Sequence, residues 1–140
     1  MIAVVGCGAA KRSSRAPARL LYTGTLFRDH LRLAVAIRPR AIYVASALYG
    51  LIPAEEEIEP YERRLGELDE PSRAAWARGV GASVELVTDP GELVIVLAGK
   101  EYSTWREHAS RRVWGPLDGL TLTERRAVVG RLCDRRRELF

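Results

Sequence analysis

Cys7, Lys11, Tyr22, Thr23, Ser46, Tyr49, Gly50, Glu59, Tyr61, Gly99, Lys100 and Tyr102 are the residues of this chain whose types could do chemistry or shape a site for it. Cys7 is a nucleophile if Lys11 or backbone N–H groups lower its pKa. It is equally well a small apolar residue filling a tight turn. Lys11 offers a compact cation for a phosphate or carboxylate, and Thr23 to Thr25, at the start of a helix, could share the anion. Glu59 precedes Pro60, which favours an extended backbone there. A carboxylate followed by Tyr61 could bind a sugar or base edge, or act as a general acid or base. Tyr22, Tyr49, Tyr61 and Tyr102 are four of the five tyrosines, and all lie beside glycine-containing turns or in the segment after one. Aromatics around a cleft with one amine and one carboxylate suit a planar, polar ligand such as a nucleobase.

The known signatures narrow this further. Gly6-Cys7-Gly8 with Lys11 is neither a Walker A loop nor a complete GxGxxG, so it supports neither nucleoside-triphosphate nor dinucleotide binding. HExxH, GxSxG and cysteine–histidine metal spacings do not occur, and no metal or cofactor is expected. His30 and His108 read as packed or partly exposed histidines. Glu55, Glu56 and Glu57 read as solvated charge.

The residues must be positioned by strands. Ile2 to Val5 is a short β-branched run closed by Gly6, and so a buried strand ending in a turn. Gly8 to Arg19 reads as a loop, and Leu26 to Arg38 as an amphipathic helix with Thr25 at its N-cap, Asp29 in the first turn and Pro39 after its end. Its inward face is Phe27, His30/Leu31, Ala34 and Ile37. Ala41 to Ala45 is a second strand, followed by a turn from Ser46 to Ile52. Strand, helix, strand implies a parallel βαβ unit, which brings the Cys7 loop and the Ser46–Gly50 loop to one sheet edge. Pro53 to Tyr61 reads as an irregular excursion. A helix then starts at Asp69-Glu70-Pro71 and carries Trp76, interrupted by Gly79 and Gly81. Leu93 to Leu97 is a continuous apolar run suited to a central strand, ending at Gly99, Lys100 and Tyr102. Trp105 and Ala109 point inward from the next helix, and Val113-Trp114 is a short strand. The last helix opens with a Thr121/Glu124 capping box. Val128, Val129, Leu132 and Leu139 run along it, with Arg125, Arg126, Arg131, Arg135 and Arg136 on its outer face. The expected fold is one α/β domain over residues 1–140: three layers, α/β/α, with a mostly parallel sheet of about four strands.

Composition sets the class. The chain has 140 residues, 47% of them hydrophobic, with no run of transmembrane length and no secretory leader. A cytoplasmic protein without membrane association is the expectation. Cys7 and Cys133 are the only cysteines, without a CxxC pair, so reduced thiols are expected. The net charge of +4 is mildly basic and fits a phosphate-bearing substrate or a nucleic acid. Lys11 and Lys100 are the only lysines among 22 basic residues. In so arginine-biased a chain an amine is kept where a guanidinium cannot serve, or else by chance.

In order along the chain, VGCGAAK with LYTGTLF, ASALYGLI with IEPYERRL, then LAGKEY and GPLDGL resemble the YaaA-like family of uncharacterised bacterial α/β proteins. Gly24 stands where that pattern usually has serine, and Leu48 where it often has lysine or another polar residue. The Cys7, Lys11, Tyr22 arrangement is more distantly similar to the amide-forming domain of archaeosine synthase, a domain related to uracil-DNA-glycosylase-like folds. The resemblance implies a three-layer α/β fold and a nucleobase- or nucleotide-directed role. It carries over Cys7, Lys11, Tyr22, Ser46, Gly50, Glu59, Tyr61, Gly99 and Tyr102.

Two functions are therefore expected in competition. The first is an enzyme acting on a nucleobase, nucleoside or nucleotide, by N-glycosidic bond cleavage or transfer or by modification of a deazapurine-like base. Glu59, Lys11 and Cys7 are its catalytic candidates; Tyr22, Thr23, Ser46, Tyr49, Gly50, Tyr61, Gly99, Lys100 and Tyr102 would bind the substrate. The second is a non-enzymatic nucleic-acid-binding protein linked to oxidative or DNA stress, resting on a pI of about 9.4 and the last helix's arginines. A subunit that works in a homo-oligomer or with a partner is compatible with so small a domain.

Overall fold

The computed structural model describes the backbone of residues 1–139 and the side chains of residues 1–133. In chain order the elements are β1 (Ile2–Gly6), β2 (Ala16–Pro17), α1 (Ala18–Leu21), α2 (Thr25–Ile37), β3 (Ile42–Ser46), β4 (Gly50–Pro53), β5 (Glu57–Ile58), α3 (Glu70–Val87), β6 (Leu93–Leu97), β7 (Arg112–Trp114) and α4 (Leu122–Leu139). Two 3-10 helices, Leu65–Glu67 and Glu101–His108, lie before α3 and after β6.

β1 is buried along its whole length, as a strand covered on both faces must be. Its alternating side chains divide the core. Ala3 and Val5 pack with Phe27, Leu33 and Ala34 of α2 and with Val129 and Cys133 of α4. Ile2 and Val4 pack on the opposite face with Ala77, Val80 and Val84 of α3 and with Trp105. The expected three-layer α/β/α arrangement is what the chain forms.

The sheet has five strands in the order β4-β3-β1-β6-β7, one more than expected. β1 runs parallel to β3 and β6, β6 parallel to β7, and β4 antiparallel to β3. Gly50, with a φ of +72°, turns the chain back so that Leu51 to Pro53 pair along β3, where a turn and an excursion are expected. Proline at the end of an edge strand is tolerated because one side of that strand needs no donor.

Other boundaries shift for local reasons. The N-cap of α2 is Gly24, with no side-chain cap, rather than Thr25, so Asp29 lies beyond the first turn. Arg38 ends the helix in the left-handed region, its amide reaching the Val35 carbonyl. Leu33 replaces Leu31 among the fully buried residues of that face. Gly79 and Gly81 do not interrupt α3, which Asp69 caps by accepting from the Ser72 amide at 2.8 Å. Thr121 and Glu124 form the expected capping box. Leu132 is 41% exposed rather than inward; the side chains of Arg135, Arg136 and Leu139 lie outside the described residues. The stretch from Gly8 to Arg19 is tied down rather than open: Lys11 bridges Tyr22, and β2 pairs with β5. Arg19 reaches Glu55 at 2.8 Å and Arg15 reaches Glu57 at 3.3 Å. Among the described residues no helix is long and apolar enough to cross a membrane.

Candidate functional site

The connection after β1 leads through α2 to β3, whereas the one after β6 leads to β7 on the other side. Loops that leave adjacent parallel strands in opposite directions open a crevice between them, the usual ligand position in an open α/β sheet. The crevice here has a tight floor. A Cβ on Gly6 would stand 2.7 Å from the Ala98 Cβ and 3.0 Å from the Tyr102 Cβ, so glycine lets the ends of β1 and β6 meet.

Cys7 follows Gly6, with its amide donating to the Ala45 carbonyl at 3.1 Å. Around its thiol the fold gathers Tyr22, Ser46, Tyr61 and Tyr102. The Tyr61 hydroxyl lies 2.7 Å from the Tyr22 hydroxyl, 2.7 Å from Ser46 Oγ and 3.7 Å from Cys7 Sγ. Ser46 Oγ accepts from the amides of Leu48 and Tyr49, at 3.3 and 3.1 Å. With both lone pairs engaged, Ser46 donates its one proton to Tyr61. Tyr61 donates its own proton to the Cys7 sulfur, which leaves Tyr22 as the donor in the contact between the two tyrosine hydroxyls.

Burial sets the protonation states. It raises the Cys7 thiol above its ordinary range, against the pull of the Ala47 backbone, the Tyr61 and Tyr102 hydroxyls and the Lys11 charge. Burial likewise raises Tyr22 and Tyr61 well above the usual phenol range and pushes Tyr102 up to about 12. At neutral pH the cluster is therefore an uncharged chain of hydroxyls ending on a thiol. Lys11 Nζ, 4.3 Å from the centre of the Tyr61 ring, is the cation over it. Its hydrogen bond goes to the Ala9 carbonyl at 3.1 Å.

Beside this cluster is a cavity of about 340 Å³, lined by Gly8, Ala9, Arg64, Gly66, Glu67, Glu101 and Tyr102. A second of about 570 Å³ shares Gly66 and Glu101 and extends to Trp76, Arg73 and His108. Trp76, read from sequence as core or interface, ties the two sides together: its indole N–H donates to the Ser46 carbonyl at 2.8 Å and its ring meets Tyr102 edge-on.

The other predicted residues fall into different places. Tyr49 packs edge-on against Tyr61 and donates to the Glu59 carbonyl at 3.2 Å, leaving its own ring 40% exposed. Gly50 shapes the turn opposite Ser46. The Thr23 amide donates to the Ala10 carbonyl, and Gly99 accepts from Ser103. Lys100 is exposed at the start of the second 3-10 helix. The Glu59 side chain is 65% exposed and 4.0 Å from Arg15; only its backbone carbonyl meets the tyrosines. Because Ile58 is buried, period-two alternation turns Glu59 outward. Tyr22, at 1% exposure, offers no stacking face; Tyr49 is exposed, Tyr61 and Tyr102 are partly exposed, and of these Tyr102 lines the cavity.

Sequence reasoning missed Arg64 and Glu101 at the cavity, although both lie within the motifs IEPYERRL and LAGKEY. On α4, Arg125 spends its guanidinium on the carbonyls of Leu120 and Ala98, and Arg126 pairs with Asp29 at 3.4 Å. Neither is a freely solvated outer-face arginine. Among the described residues no three of His, Cys, Asp and Glu converge closely enough to hold a metal ion.

An open, mostly parallel sheet with a thiol and a hydroxyl chain at its switch point defines an α/β protein with a preformed polar site. The chain belongs to DUF6884, a family of unknown function whose model matches residues 2–131. No curated protein and no solved structure gives a significant match.

Proposed function

We propose that this protein is an enzyme acting on a nucleobase, nucleoside or nucleotide, and that it modifies the base through Cys7. The observation that carries the reading is the hydroxyl chain Ser46–Tyr61–Cys7 next to a cavity lined by Tyr102. The resemblance to YaaA-like proteins and to the amide-forming domain of archaeosine synthase supports the same reading.

In the proposed step the Cys7 sulfur adds to the electrophilic carbon of a carbon–nitrogen multiple bond on the base. A carbon–sulfur bond forms, and the π pair moves to nitrogen. The thiol's own proton goes to that nitrogen, which becomes an N–H, while Tyr61 keeps its proton and its hydrogen bond to sulfur favours the thiolate as it forms. Displacement of sulfur by water or an amine returns the proton and the thiol. The tyrosines keep the sulfur in a low-dielectric site, and Lys11 supplies the positive charge beside it while the thiolate forms. Glycosidic cleavage through Glu59 has less support, since that carboxylate is exposed and faces Arg15.

The test is a mass-spectrometric scan of the purified protein incubated with nucleosides, nucleotides and 7-deazaguanine compounds, with water or a simple amine as acceptor. The expected result is a mass-shifted base that is lost in Cys7→Ala and kept in Glu59→Gln. Product formation undiminished in Cys7→Ala contradicts the proposal. Silence across the panel, together with nucleic-acid binding that weakens steeply with salt, favours the binding-protein reading instead.

A further inference from the structure

The loop between β1 and the Lys11–Tyr22 bridge has unused hydrogen-bonding capacity. The Cys7 amide is taken by Ala45 and the Arg12 amide by Leu21, but the amides of Gly8, Ala9 and Ala10 meet no acceptor among the described residues. Gly8 and Ala9 line the cavity of about 340 Å³. Arg64 lines it too; its carbonyl accepts from the Glu67 amide, but its guanidinium has no ion-pair or hydrogen-bond partner among the described residues. Lys11 is not itself part of that lining, but its Nζ donates to the carbonyl of Ala9, which is, and it has no carboxylate partner among the described residues. Arg15, Arg19 and Arg40 have carboxylate partners, whereas Arg64, like Arg12, Arg28, Arg63 and Arg78, has none among the described residues, and of these five only Arg64 lines the cavity.

Two cations without acids, beside backbone N–H groups without acceptors, are what a tetrahedral oxyanion requires. Glu67 and Glu101 line the same cavity, and carboxylates suit ligand N–H donors rather than an anion. A ligand that carries both a phosphate and an N–H-bearing edge meets both sets of groups, and the volume lies within the range of small-molecule sites.

We infer that Lys11, Arg64 and the Gly8–Ala10 amides form a phosphate subsite, so that the preferred substrate carries a phosphate monoester: a nucleoside monophosphate or a terminally phosphorylated nucleotide. The inference rests on the nucleobase-directed reading above and narrows its substrate class.

Calorimetric titrations at fixed ionic strength test it, using inorganic phosphate, four nucleosides and their 5′-monophosphates against the full chain. The monophosphates bind at least about tenfold tighter than the nucleosides, and Arg64→Ala and Lys11→Ala each remove about tenfold of that preference, the order expected for a lost charge-assisted hydrogen bond. Arg64→Lys keeps part of it. Both positions are outside the buried core, and unchanged melting confirms that the variants fold; Lys11→Gln is the second variant if Arg64→Ala does not. Equal affinity for nucleosides and monophosphates, or a preference untouched by both substitutions, overturns the subsite and leaves the nucleobase reading standing. Binding of inorganic phosphate that needs Arg64, with no gain from any base, upholds the subsite and overturns the nucleobase reading. No binding of any probe overturns both.

Discussion

A hydroxyl has one proton to give, and at Tyr61 three neighbours lie within reach of it. The direction is decided at Ser46, where two backbone amides fill the oxygen's lone pairs and turn its proton toward Tyr61. Ser46 is thereby no acceptor for the Tyr61 proton, which is left to the sulfur. His30 shows the opposite case. It is 1% exposed, and its Nε2 has no partner among the described residues. Burial first, then the Arg125 charge, lowers its pKa from 6.5 to about 4, with Asp29 opposing. The unfolded chain binds this proton from about pH 6.5 downward, the folded chain only from about pH 4. Stability contributed by the neutral imidazole is thus complete above 6.5 and is lost as pH falls from there to about 4. The loss is on the order of 3 kcal/mol at most. In His30→Leu, urea midpoints measured at pH 7, 5.5 and 4.5 are expected to fall less than in the wild type. An unchanged slope would show that His30 is not the group that titrates.

At the scale of elements, two glycines in α3 make opposite predictions. A Cβ at Gly81 would stand 2.8 Å from the His108 Cβ and 2.9 Å from the His108 carbonyl. Backbone cannot yield as a flexible side chain would, so Gly81→Ala forces α3 away from the Glu101–His108 helix. The expected cost is about 1–3 kcal/mol, larger than the gain in helix propensity. Gly79 has open space around its would-be Cβ, and Gly79→Ala is expected to stabilise the protein by about 0.5–1 kcal/mol. Thermal melting of the pair checks both signs; a shift in the same direction for both would contradict the packing. These contacts were not legible in the sequence, where both glycines read alike as helix interruptions. Much else was: β1, β3 and β6 announce themselves as apolar runs closed by turns, and the βαβ rule alone brings Cys7 and Ser46 to one edge. β4 was hidden because a glycine and a proline bound its apolar pair and only an edge position admits them. The inward Tyr61 was legible as an aromatic near the site. The outward Glu59 was not, because its orientation depends on the short β2–β5 pairing that buries Ile58.

Over the whole molecule, fold and site share one point. Gly6 ends the central strand, touches Ala98 and Tyr102 of the neighbouring strand's loop, and precedes the thiol. Gly6→Ala is expected to spread the ends of β1 and β6, lowering stability by about 1–3 kcal/mol and loosening the contacts around Cys7. Denaturant unfolding, with Cys7 alkylation followed in the same variant, should show both effects together. Lost stability with unaltered Cys7 labelling would mean that the site does not depend on how closely the strands meet.

The central claim is that Tyr61 governs the protonation of Cys7. The most direct test is the pH dependence of Cys7 alkylation by iodoacetamide, read by intact mass in a Cys133→Ala background. Burial places the wild-type profile above that of an ordinary thiol. Tyr61→Phe removes a hydrogen bond that favours the thiolate, so its profile is predicted to move to still higher pH while the protein remains folded. A profile that stays in place or moves to lower pH in folded Tyr61→Phe would contradict the account.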